Sequence, residues 1–122
     1  MHISKIVDFV IECFNREFGD DMVLTERTEA FHLMGCFALQ FLYVPLKYTI
    51  EFVNDRGFFS IDISDEKGAR TSFDRIRVKN ENVNLDDMNT WDNRIKSSED
   101  IENRVSELKE LLERNEFTFL SE

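Results

Sequence analysis

The sequence predicts an α+β domain, a mainly antiparallel sheet of about four or five strands flanked by an N-terminal and a C-terminal helix. Three observations lead there. Apolar residues recur at three- and four-residue spacing near both ends of the chain. Between those ends they alternate with polar residues in short runs broken by turn-forming residues. The chain of 122 residues is 42% hydrophobic, which suits one core and hardly two, so residues 1–122 are read as a single domain. Its 12 phenylalanines offer large apolar area per side chain, so the core needs no disulfide or metal to hold it.

The first element is a helix from Ile3 to Phe18. Ile3, Ile6, Val7, Val10, Phe14 and Phe18 form one apolar stripe, and Gly19 ends it because glycine accepts the left-handed conformation that follows many helices. From Met22 the period changes to alternation. Phe37, Leu39, Phe41 and Tyr43 interleave with Ala38, Gln40, Leu42 and Val44; both sets are largely apolar, which predicts a central strand covered on both sides, ended by Pro45. Tyr48, Ile50 and Phe52 then face away from Lys47, Thr49 and Glu51. Asn54 to Gly57 reads as a turn, and the chain returns through Phe59, Ile61 and Ile63 to a second turn at Asp65-Glu66-Lys67-Gly68. The stretch from Ala69 to Val78 fits either a strand or a strand followed by one helical turn. Residues 79–92, rich in Asn and Asp, read as a surface loop or a short irregular helix.

A second helix begins near Ser97 or Ser98, either of which caps it, with Glu99, Asp100 and Glu102 at the positive end of its dipole. Ile101, Val105, Leu108, Leu111 and Leu112 supply its buried stripe, and Glu110 and Arg114 are spaced to pair on its outer side. Phe117, Phe119 and Leu120 suit a short last strand or a tail over the core. The two cysteines, Cys13 and Cys36, sit in apolar runs and read as buried free thiols. No signal-peptide pattern and no apolar run of membrane-spanning length occurs, so the cytoplasm is the expected compartment.

Catalytic chemistry finds little support. His2 and His32 are the only histidines, and neither lies beside a nucleophile in a triad-like context. Four glycines leave no phosphate-binding or dinucleotide loop, and no His-Glu-x-x-His or Cys-x-x-Cys pair is present. Asp62 to Gly68 departs from the calcium-loop pattern, which wants acids at alternate positions and glycine sixth. The expectation is a non-enzymatic protein with no cofactor and no metal.

Charge is the stronger signal. The net charge is −10, which repels nucleic acid and anionic lipid and attracts basic surfaces. Arg70, Arg75, Arg77 and Lys79 are the one local basic concentration, read as partners of nearby acids. Residues 1–80 hold 13 acidic against 10 basic residues, and residues 81–122 hold 12 against 5, so the excess is concentrated in the last third. There Asp86, Asp87, Asp92, Glu99, Asp100 and Glu102 surround Met88 and Trp91, the sole tryptophan. An aromatic anchor ringed by one sign of charge is a common build for steered interfaces; the alternative is that Trp91 plugs the edge of the core among solvated acids. Glu51 and Asp62 add a second negative feature. Alternation turns both away from Ile50, Phe52, Ile61 and Ile63, so they mark an acidic sheet face if no helix covers it.

The order of an amphipathic helix, a meander through Tyr48-Thr49-Ile50-Glu51-Phe52 and Asn54-Asp55-Arg56-Gly57-Phe58-Phe59-Ser60-Ile61-Asp62-Ile63, and an acidic helical end resembles small bacterial immunity proteins. These accompany contact-dependent growth inhibition and other polymorphic toxins. The resemblance implies an acidic cytoplasmic toxin inhibitor that binds a cognate toxin domain, often a basic nuclease, and blocks its active site or substrate groove. It carries no binding residue over to this chain. The candidate partner-binding residues, Asp86, Asp87, Met88, Trp91, Asp92, Glu99, Asp100, Glu102, Glu51 and Asp62, come from charge and aromatic placement. An acidic nucleic-acid mimic or regulatory adaptor acting on a host enzyme shares these electrostatics and is the alternative.

Overall fold

The computed structural model describes residues 3–30, 36–55, 58–73 and 98–115. Helix α1 (Ile3–Phe18) leads through a short 3₁₀ turn at Gly19–Asp21 into strand β1 (Met22–Ala30). Strands β2 (Cys36–Tyr43), β3 (Tyr48–Asp55), β4 (Phe58–Ser64) and β5 (Arg70–Ser72) follow, and then helix α2 (Ser98–Arg114). The strands pair with their sequence neighbours in the order β1-β2-β3-β4-β5, every pair antiparallel. The expected α+β architecture is the one observed.

Local chemistry explains the boundaries. Gly19 takes φ +56°, the left-handed conformation that closes α1. At the far end of the molecule Asn115 does the same for α2, at φ +51°, and its N–H donates to the Leu111 carbonyl at 2.9 Å. Asp65 shapes the β4–β5 turn. Its Oδ1 accepts the Lys67 and Ala69 backbone N–H groups at 2.9 Å each, while Gly68 sits at φ +87°. Pairing of β3 with β4 continues as far as Asp55 and Phe58, so Asn54 and Asp55 of the expected Asn54–Gly57 turn belong to β3. Of the Ala69–Val78 stretch, Arg70–Ser72 is strand and Phe73 is buried in the core; residues 74–78 lie outside the described residues.

Both helices lie on one face of the sheet. Phe14 of α1 stacks on Phe41 with ring centroids 4.1 Å apart and meets Phe52 edge-on, while Phe18 meets Tyr43 edge-on. Phe52 also stacks against Phe37 and Phe59, so one ring ties three strands together. Helix α2 buries Ile101, Val105, Leu108 and Leu112 in the same cluster, with Leu111 partly buried. The Arg104 guanidinium stands 5.1 Å from the Phe59 ring centroid, and the Tyr48 hydroxyl meets Asn115 Oδ1 at 3.2 Å. The helices touch one another beside an Arg16–Glu102 ion pair of 3.6 Å. Glu110 and Arg114 are both exposed, and no ion pair within 4 Å is formed between them.

Two expectations need correction. Strand β2 is buried on one side only: Phe37, Leu39, Phe41 and Tyr43 are buried, whereas Ala38, Gln40 and Leu42 are half-buried. Among the described elements both helices pack on the first side, and apolar content alone does not reveal that. Cys13 is buried as expected, and burial pushes its thiol above the ordinary range. Cys36 is only half-buried, because it opens β2 on the other face, with its Sγ 3.4 Å from Asp55 Oδ1. The histidines, residues 79–92 and the segment with Phe117, Phe119 and Leu120 lie outside the described residues.

Candidate partner-binding face

Antiparallel registration arranges the side chains away from the helices into rows. One row runs Val23–Leu42–Thr49–Ser64–Arg70 across the five strands. The next runs Glu26–Gln40–Glu51–Asp62–Ser72. It places three carboxylates and an amide side by side on four consecutive strands. Neighbouring strands lie about 4.8 Å apart, so the row from Glu26 to Asp62 spans about 14 Å.

Glu26 reaches this row through a bulge. The register between β1 and β2 shifts between Leu24 and Glu26, leaving Thr25 as the extra residue; its hydroxyl donates to the Gln40 carbonyl at 3.0 Å. Simple alternation after Met22 and Leu24 would have turned Glu26 toward the helices. The bulge turns it outward and brings Arg27 inward, where Arg27 pairs with Glu29 and, at 3.2 Å, with Asp8 of α1.

Glu51 and Asp62 are directly opposed on β3 and β4. Like charges so placed on a sheet, with Cβ atoms about 5 Å apart, destabilise it. Glu51 is exposed and Asp62 half-buried. Desolvation raises the Asp62 carboxyl above its ordinary value, and the nearby Arg70 charge offsets part of that rise. The pair therefore contributes no obvious stability to the fold.

The other described candidates lie in a different layer. Glu99, Asp100 and Glu102 occupy the first turns of α2, Glu102 already engaged by Arg16. The structure does not merge them with Glu51 and Asp62, because the sheet stands between the helix layer and the carboxylate row. Asp86, Asp87, Met88, Trp91 and Asp92 lie outside the described residues. Sequence reasoning missed Glu26 and Gln40. The available signal was the stretch Thr25-Glu26-Arg27-Thr28-Glu29, which has no apolar residue with which to continue an inward face.

Among the described residues no grouping of three His, Cys, Asp or Glu side chains is arranged to hold a metal ion. No helix among them is long and apolar enough to cross a membrane. Compared with protein-family models, with curated proteins and with solved structures, the chain matches none.

Proposed function

We propose that this chain is a non-enzymatic binding protein of the bacterial cytoplasm that neutralises a basic toxin domain by direct contact, in the manner of small immunity proteins. The observation that carries the reading is the opposed Glu51–Asp62 pair within a row of carboxylates facing away from the core. Folding gains nothing from that arrangement, whereas a cationic protein surface gains a line of acceptors spaced by the sheet itself. The net charge of −10 acts in the same direction over longer range, steering a basic partner toward encounter.

In this mechanism the carboxylates take the places that nucleic-acid phosphates occupy on the toxin. Charge sets the rate of association, and apolar contact sets the rate of dissociation. Asp86, Asp87 and Asp92 are proposed to add to the attraction. Their conversion to Asn is expected to slow association and flatten its salt dependence.

The test is capture of the partner from the native cell, followed by production of that partner with and without this chain. A basic protein that stops growth only when this chain is missing supports the proposal. Turnover of a metabolite by the purified chain would overturn it. Capture of a host nucleic-acid enzyme whose production does not stop growth would replace it with the adaptor reading.

A further inference from the structure

The outward sheet surface carries more than charge. Val23 is 47% exposed and lies opposite half-buried Leu42 on that face. Val44, 44% exposed, sits beside them, because its N–H donates to the Asp21 carbonyl at 2.8 Å at the entrance to β1. These apolar side chains form one end of the surface, and the Glu26–Gln40–Glu51–Asp62 row begins immediately next to it. Apolar exposure and surplus negative charge are separate properties. Each has its own cost for an isolated domain, and their adjacency gives one surface both an apolar and a charged part, as protein interfaces have.

We infer that the occupant of this surface is an amphipathic segment of a basic protein, one that sets apolar side chains on Val23, Leu42 and Val44 and Arg or Lys side chains along the Glu26–Glu51–Asp62 row. A polyanion is repelled by that row. A purely polar cation leaves the apolar end uncovered. Arg70, at the β5 end of the row that Val23 and Leu42 begin, closes the surface on that side with a positive charge and sets the direction in which a cationic segment lies. The inference rests on the proposal that the chain binds a basic protein, and it adds where binding occurs and by what chemistry.

Two synthetic peptides of equal charge, one alternating lysine with leucine and one alternating lysine with serine, serve as probes in NMR titrations of the full chain. The leucine peptide is expected to bind about tenfold more tightly, a difference of about 1.4 kcal/mol, with the largest shifts at Val23, Gln40, Leu42, Glu51 and Asp62. The E26Q/E51Q/D62N variant should weaken both peptides. V23S/V44S should remove only the difference between them; unchanged spectra elsewhere show that each variant is folded. Equal affinity for the two peptides, or shifts centred on Glu99 to Glu102, would overturn the inference. Should the captured basic partner bind the E26Q/E51Q/D62N variant with unchanged affinity, this surface is excluded while the binding function stands.

Discussion

The two faces of the sheet carry side chains from the same strands and have opposite characters. Toward the helices stand Phe37, Leu39, Phe41, Ile50, Phe52, Phe59, Ile61 and Ile63, all buried. One residue along, Gln40, Glu51 and Asp62 stand on the other side, half-buried or exposed. Because the strand period is two, evolution can alter one face with little consequence for the other. The difference teaches which side chains packing accounts for: the first face is explained by packing, and the second has side chains that packing does not require.

Substitutions can break or sharpen that contrast. The largest effect is expected for Phe52→Ala on the inner face, since this fully buried ring contacts Phe14, Phe37 and Phe59. Loss of about 3–5 kcal/mol in urea unfolding is predicted. A loss below about 1 kcal/mol would show that the inner face is not the core described.

On the outer face, E26Q/E51Q/D62N is expected to leave stability equal or raised by up to about 1 kcal/mol, since it relieves a like-charge opposition. The same variant should lower the association rate with a basic partner by at least about tenfold at low salt. A destabilised variant would show that these carboxylates support the fold after all.

Asp62 alone provides a pH signature. Its carboxyl is raised above the ordinary value in the folded state, so the folded chain holds that proton more tightly than the unfolded chain. The associated stability is fully present below the ordinary Asp range and is lost as pH rises through the raised value. Asp62→Asn is therefore predicted to be more stable than the parent chain at pH 7, by a margin that solvent screening of this half-buried carboxyl keeps small. The gain should vanish in acid, below the ordinary Asp value of about 3.9. Thermal unfolding across that range checks the sign, and a gain that persists in acid would assign it to something other than ionisation.

The remaining effects belong to the helix ends. Asn115→Val places a β-branched residue at φ +51° and should cost about 1–2 kcal/mol, whereas Asn115→Gly should cost little through the backbone. Arg16→Ala, which removes the exposed pair with Glu102, is expected to cost less than about 1 kcal/mol.

Much of the fold was legible because local chemistry and tertiary contacts agree. The apolar stripe from Ile6 to Phe18, the Gly19 stop and the Asp65–Gly68 turn are local signals that the tertiary structure keeps. The outward direction of Glu51 and Asp62 followed from alternation alone. What was not legible depends on long-range choices. A stripe on each helix says that each is covered, and not that both choose the same face of the sheet. The phase of β1 depends on a bulge at Thr25, where the Thr25 hydroxyl bonds across to the Gln40 carbonyl, and that contact reaches 15 residues along the chain. Glu26 joined Gln40 on the candidate face only through that displacement.

The most direct test is the association rate of the captured partner, measured against salt concentration for the parent chain and for E26Q/E51Q/D62N. The account predicts a fast rate for the parent that falls steeply as salt rises, and a slower rate with a shallower salt dependence for the variant. Parent and variant rates that coincide at every salt concentration would contradict it.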